Sequence, residues 1–546
     1  MKLFKRLCKE FIEKHKTLFL SFVIISSVSY IMKVIVTPMI YSNIMDLKDN
    51  NFYPVIKQIF ALWLLTGVIY IIKARMENFM FPEFLSFIRQ KLFVLFLEKN
   101  KTNFNDSSVA YDITRIFEST RYMKDLFFWF SQYLIPVSIL ILCINSYFVY
   151  KIPLMGAVNI ASTSTIIYYI VSHYEGLIEN STKRETHYME LIKKVDENFS
   201  NLMNIYINNQ IDETIDKNSK LEHEYTNANK VQNTEVMKFT NAIKLTNYFF
   251  TFICLYILYI HAKRRNDSSS KKEFVTILLM FTFYISTIET IAEDIPFYMM
   301  TLGNVRYAEP FLENAIFSNT REKYIPQFQG NIVFDHVSFR YDNKSKYILD
   351  DFSLNIKKGE RIGIMGQTGK GKSTIIKLLL QFYKPDKGKI YLDGMISNDI
   401  NVDDIRKNIN YINQKTVLFN DTIIANMKYG NESTDKDIIS LLLEYDLLHV
   451  FTKDKDENKN TDILSTMVEK NGANISTGMQ KVIFIVRGVL KKCKVIIFDE
   501  PFSGIDQDTR QNVLRLIDEK TKGKTTIVIT HDFGGLENIL DNIIEL

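Results

Sequence analysis

Cysteine, proline and tryptophan are scarce in this chain of 546 residues, which carries 4, 10 and 2 of them. The cysteines (Cys8, Cys143, Cys254, Cys493) lie far apart, without paired spacing. That excludes a disulfide framework or a zinc ribbon and points to thiols in a reducing compartment. One-sided charge is missing as well: 67 basic against 62 acidic residues leave a formal +5. A nucleic-acid binder of this size would be far more basic, so no nucleic-acid partner is expected. The N-terminus, Met1-Lys2-Leu3-Phe4-Lys5-Arg6, is basic but no small-residue cleavage site follows it. The expectation is a retained first span whose basic start stays on the cytoplasmic side.

What is present divides the chain in two. Hydrophobic residues make up 47% and the mean hydropathy is −0.04. This average conceals an apolar first half and a polar second half, and the length calls for at least two domains. Six apolar stretches lie at Leu18–Ile40, Val55–Ile72, Phe127–Tyr150, Leu154–Val171, Tyr248–His261 and Phe274–Ile288. A helical span needs about 20 largely apolar residues. The first and third qualify readily, the fourth is interrupted by Asn159 and Ser162-Thr163-Ser164-Thr165, and the last two must extend into more polar flanks. Two connections, Lys73–Asp125 and Ser172–Thr246, are long and charged, and the second, divided between two helices, would carry each about 50 Å past a bilayer. Lys33, near the outer end of the first stretch, reads as a snorkelling side chain. Glu289, Glu293 and Asp294 follow the sixth and read as either wet or facing an inward cavity.

After a polar connection at Phe317–Gln329 the pattern changes. Ile332–Phe334 and Tyr347–Ile356 alternate like strands, and Arg361–Met365 leads into Gly366-Gln367-Thr368-Gly369-Lys370-Gly371-Lys372-Ser373-Thr374, with a helix expected over Ser373–Phe382. Strand, glycine loop and helix together form a phosphate loop. The glycines let backbone N–H groups surround phosphate oxygens, Lys372 brings a cation to the β- and γ-phosphates, and Ser373 offers an oxygen to Mg²⁺. Val495–Phe498 is a buried parallel strand by composition, with Asp499 emerging at its carboxyl end, followed by Glu500.

The ordered set formed by this loop, Gln414, Ile475-Ser476-Thr477-Gly478-Met479, Asp499-Glu500 and Thr530-His531-Asp532 resembles an ATP-binding cassette (ABC) half-transporter of the exporter type over essentially the whole chain. The resemblance implies a multi-domain protein: an all-α six-helix transmembrane domain (1–320), then an α/β P-loop nucleotide-binding domain (325–546). ATP and Mg²⁺ are the implied cofactors, and a second half-transporter, the lipid bilayer and an unidentified transported substrate the implied partners. It further implies that Tyr341 stacks on adenine, Gln414 helps hold Mg²⁺, Asp499 holds it through water, Glu500 polarises the attacking water and His531 contacts the γ-phosphate. Ser503-Gly504-Ile505-Asp506 would cross to the other subunit, and coupling helices would lie near Ser107–Arg115 and Asn208–Asp216. One feature conflicts with this topology: Ala262-Lys263-Arg264-Arg265-Asn266, Lys271 and Lys272 fall in an outer loop, where positive charge is disfavoured.

The family's Leu-Ser-Gly-Gly-Gln signature, which would reach the γ-phosphate on the opposite subunit, reads Ile475-Ser476-Thr477-Gly478-Met479 here. Ser476 and Gly478 remain, Thr477 adds a Cβ where glycine allows close approach, and Met479 removes an amide donor. Lys470 stands where exporters place a glutamate. With its own nucleotide motifs intact and the motif for its partner degraded, the chain reads as one half of a heterodimer. Two alternatives stay open: a homodimer of low turnover, and an ATP-gated regulatory or channel-like protein.

Overall fold

The computed structural model describes residues 2–46, 52–101, 109–265, 268–313, 324, 327–342, 345–367, 369–414, 417–451, 462–469, 472–531 and 535–546. Contacts divide the chain into two units: residues 1–318, save the segment 100–104, and that segment together with 319–546.

The first unit is helical. Helix Lys2–Lys14 buries Leu3, Leu7 and Phe11, a stripe four residues apart, and leaves its lysines outside. Six further helical segments are long and apolar enough to cross a membrane: Lys16–Met45, Tyr53–Glu98, Ile116–Lys151, Pro153–Ser200, Ile211–Arg264 and Lys271–Ala308. The second, fourth and fifth run far beyond their apolar stretches as unbroken helices, Tyr53–Asn100, Pro153–Ser200 and Ile211–Arg265. At 1.5 Å per residue each is about 70–80 Å long, more than twice the thickness of a hydrocarbon core. The first and third spans each contain one π-helical turn, Met32–Val36 before Pro38 and Phe130–Leu134 before Pro136. A proline cannot donate its turn's hydrogen bond. Beside Pro38 the Met32 carbonyl accepts both the Thr37 amide and the Thr37 hydroxyl, the latter at 2.8 Å.

The polar interruption of the fourth span faces protein at three of its five residues, with Ser164 and Thr165 exposed. Asn159, Ser162 and Thr163 are buried, and Asn159 Nδ2 donates to Asn145 Oδ1 of the third span at 2.6 Å. Glu289 accepts from the Tyr248 hydroxyl and Glu293 pairs with Lys244, so both carboxylates are engaged by the fifth helix. Lys33 is exposed. At the end away from the long extensions, Lys151 pairs with Glu273 at 3.4 Å. This places the turn at Ile152 and the start of the sixth helix together, so the basic residues Lys263 and Arg264 do sit at the outer end, against the usual charge bias. The turn of the second extension falls earlier than expected. A short helix, Leu202–Ile207, occupies the tip, and Asn208–Asp216 supplies the turn and the start of the returning helix. Asn209 takes φ +51°, a conformation asparagine tolerates better than most residues. Of the first tip, residues 102–108 lie outside the described residues and helix Val109–Trp129 begins just after them.

Among its described residues the second unit holds nine strands: β1 Ile332–Phe339, β2 Leu349–Ile356, β3 Arg361–Met365, β4 Lys387–Leu392, β5 Met395–Ile396, β6 Ile409–Ile412, β7 Val495–Asp499, β8 Thr525–Ile529 and β9 Asn542–Glu545. They form an antiparallel sheet ordered β2-β1-β4-β5 and a parallel sheet ordered β6-β7-β8-β3-β9. Asp393 and Gly394, both at positive φ, make the two-residue turn between β4 and β5. Every residue of β7 and β8 is buried, as the apolar runs Val495–Phe498 and Ile527–Ile529 require of central parallel strands. Helices cover this sheet on both sides. Ile375, Ile376 and Leu379 pack in one core with β3 and the antiparallel sheet, and Val482, Ile483, Val486 and Leu516 in another with Phe498.

Candidate nucleotide site

Strand order explains why residues so distant in sequence meet. β8 lies between β7 and β3, all parallel, so three chain segments leave the sheet side by side at its carboxyl edge. These are the glycine loop after β3, Asp499-Glu500 at the end of β7 and Thr530-His531 after β8. Open α/β sheets bind ligands at this edge.

The helix after the glycine loop, Lys372–Leu379, has Gly371 as its N-cap at φ +95°. An added Cβ there would lie 2.9 Å from Leu349, so glycine is required for both conformation and space. Lys372 folds its ammonium onto the loop, donating to the carbonyls of Gly366 and Gln367, the latter at 3.1 Å. Ser373, Gly369 and Lys370 are exposed. Thr368 lies outside the described residues. Thr374 is buried and its hydroxyl lies 3.1 Å from that of Tyr341. That bond, with the ring edges of Phe339 and Tyr383 about it, holds Tyr341 beside the loop while the ring stays 46% exposed.

Asp499 is only 6% exposed. Burial raises its carboxyl above the usual range; the Tyr411 hydroxyl, donating at 2.7 Å, opposes this, and the charge of Glu500 adds to it. The Tyr411 hydroxyl is itself pushed well up, by burial first and the Asp499 carboxylate second. Glu500 sits at φ +52°, a left-handed conformation that costs a non-glycine residue about 1 kcal/mol. Its amide donates to the Ile529 carbonyl, which ties the turn to β8. Its carboxylate accepts from the Thr530 hydroxyl at 3.0 Å, the His531 amide at 3.2 Å and His531 Nδ1 at 2.8 Å. His531 is therefore docked on Glu500 of its own chain, with most of its ring exposed. Gln414 lies just past β6, exposed. Asp532 lies outside the described residues. Tyr411 was not singled out in the sequence: it lies three residues before Gln414, and only the β6–β7 register, Ile412 beside Phe498, places its hydroxyl on Asp499.

The donor set fits a magnesium nucleotide. A hydroxyl at Ser373 and a buried carboxylate at Asp499 are the oxygen ligands a hard divalent ion takes. The Lys372 ammonium, held on backbone carbonyls, is available to an anion.

Ser476 and Gly478 lie apart from this constellation in the sequence, at the start of helix Thr477–Leu490. Ser476 caps that helix, its hydroxyl accepting from the Met479 amide at 3.2 Å. The Thr477 side chain packs toward Gly504, whose added Cβ would meet Thr477 Oγ1 at 3.2 Å. Met479 lies half-buried against the helical core. Met479 is thus turned toward its own domain, while Thr477 stays exposed at the helix start, and the motif lacks the amide donor. Lys470 lies outside the described residues.

Residues 349–503 match the family model described as ABC transporter. The chain is similar to the ATP-dependent lipid A-core flippase of Ralstonia nicotianae, 34% identical over 224 residues, 41% of this chain and 37% of that protein. It is similar to the probable multidrug resistance ABC transporter ATP-binding/permease protein YheI of Bacillus subtilis, 36% identical over 210 residues, 38% of this chain and 35% of that protein. It is also similar to ABC transporter ATM1 of Plasmodium falciparum, 38% identical over 203 residues, 37% of this chain and 19% of that protein. These matches span well under half the length of the relatives. The solved structure of a bacterial Atm1-family ABC exporter with ATP bound superposes with a TM-score of 0.81 at 18% identity, over 98% of this chain and 94% of that one. The fold is that of an ABC exporter half, six candidate spans fused to an ABC-type nucleotide-binding domain. The chain is an integral membrane protein whose nucleotide-binding domain is cytoplasmic.

Proposed function

We propose that this chain is one half of a dimeric ATP-driven exporter, and that its partner is a different half-transporter. The observation that carries the reading is the contrast between two surfaces. Lys372, Ser373, Asp499, Glu500 and His531 converge on the carboxyl edge of one sheet, while the helix end that would complete the opposite subunit's site offers only the Ser476 hydroxyl and backbone amides. Proteins with this fold work as dimers in a membrane. A partner with a full signature would complete the site described above, and this chain would complete a weaker one.

In the proposed reaction the loop amides and Lys372 bind the phosphates, Tyr341 offers its ring to the base, and Ser373, Asp499 and Gln414 hold Mg²⁺. The metal, when bound, spreads the charge of the transferring phosphoryl group. Glu500, held by Thr530 and His531, accepts hydrogen bonding from the attacking water, and the exposed edge of the His531 ring is left for the γ-phosphate. Such chemistry consists mainly of positioning and charge stabilisation. The long helices would carry closure to the membrane through their tips, where Phe199, Met203, Tyr206 and Ile207 stand exposed and suit an apolar docking surface.

The test uses both half-transporters in lipid. Glu500→Gln is expected to keep ATP binding and lower hydrolysis at this site by at least about 100-fold, and transport with it. Transport or ion flux that persists or locks on in the variant would favour ATP gating instead.

A further inference from the structure

Helix Thr477–Leu490 carries a second group whose position calls for a reason. Lys481 lies about one and a half turns beyond the Ser476 cap. It is 5% exposed, and its ammonium, shielded from water, has no hydrogen-bond partner among the described residues. An unpaired buried ammonium is among the costliest arrangements in a protein. A snorkelling stem does not account for it, since the head itself is covered. Burial lowers its pKa, the charges of Asp499 and Glu500 oppose this, and Asp499 feels it in turn, alongside Lys372. Lys372 is held on the carbonyls of the glycine loop. Lys481 belongs to a helix whose neighbours Val482, Ile483 and Ile485 are fully buried, so its position is fixed.

We propose that Lys481 is a positioning residue of the nucleotide site: from the buried side it balances the Asp499–Glu500 carboxylate pair before metal arrives, and it thereby weakens and sets the affinity for the divalent ion. Two adjacent carboxylates with no nearby cation would repel each other and draw Mg²⁺ strongly. A fixed positive charge behind them reduces both effects, because the Coulomb term acts on metal and carboxylate alike. The same helix then serves two sites, Ser476 at its end facing the partner's nucleotide and Lys481 supporting its own.

This inference rests on Asp499 being a metal ligand, and the experiment separates the two claims. Binding of Mn²⁺, standing in for Mg²⁺, is measured by loss of the free-ion EPR signal on the full chain in lipid with a non-hydrolysable ATP analogue. Lys481→Met is expected to bind Mn²⁺ about three- to tenfold more tightly than the wild type, and Lys481→Arg, which keeps the charge, within about twofold of it. Melting without metal checks that the Met variant folds; Lys481→Gln replaces it otherwise. Unchanged Mn²⁺ affinity in the neutral variant, with Asp499→Asn losing binding, would overturn the role of Lys481 alone. Equal Mn²⁺ binding by wild type and Asp499→Asn would overturn the assignment of Asp499 and this proposal together.

Discussion

At the scale of single residues, the site depends on buried or strained groups held by specific partners. Asp499 is buried and receives one donation from Tyr411; a hydrogen bond to a charged group contributes about 1.5–3 kcal/mol. Tyr411→Phe is therefore expected to lower the stability of the metal-free nucleotide-binding domain by about 2 kcal/mol, read from denaturant unfolding, with a smaller loss once Mg²⁺ and nucleotide are bound. The placement of Lys372, Ser373 and Asp499 at one sheet edge was legible in the sequence because each follows a strand at the spacing of a glycine loop or a strand end. Tyr411 and Lys481 were not, because each acquires its meaning from a neighbour more than ten residues away. His531 was legible as a residue but not in its contact with Glu500, which depends on β8 lying beside β7.

At the scale of elements, the helix ends and the polar contacts between spans are the measurable parts. Asp506 caps helix Gln507–Thr521, accepting from the Thr509 amide at 2.9 Å and hydroxyl at 2.8 Å. These donations, the backbone one foremost, hold its carboxyl below the usual range. A lowered folded-state pKa gives stability that is complete above the unfolded value and is lost as pH falls through the folded one. Asp506→Ala should cost about 1 kcal/mol at neutral pH, with the difference from wild type closing in acid melts. In the membrane unit, Asn159→Leu removes the bond to Asn145 and should destabilise by about 1 kcal/mol. Adding Asn145→Leu should cost less than its single effect, since the stranded amide is then gone; additive losses in detergent unfolding would show that the two do not interact. Hydropathy marked the fourth span as weak partly because it counts Asn159, Ser162 and Thr163, which are buried, together with the exposed Ser164 and Thr165. Only the neighbouring helix shows that the buried three face protein. The long extensions were legible as charged connections, whereas the position of the short tip helix was not, because it turns on the local backbone at Asn201 and Asn209.

At the scale of the whole molecule, the account turns on asymmetry: a complete set of residues for the chain's own nucleotide and a reduced set for its partner's. Ser476 still caps the helix and Met479 packs on its own domain, so restoring the missing glycine and amide is expected to restore the surface. The most direct measurement is Mg²⁺-dependent ATP hydrolysis by the chain expressed alone in lipid, beside a Thr477→Gly, Met479→Gln double variant. The wild type is expected to bind ATP with little turnover. The double variant is expected to hydrolyse at least about tenfold faster, as the loss of one preorganised donor costs a factor of this order or more, and to fall silent when Glu500→Gln is added. Wild-type chain that turns over ATP rapidly on its own, with no gain in the double variant, would contradict the asymmetry and establish a working homodimer.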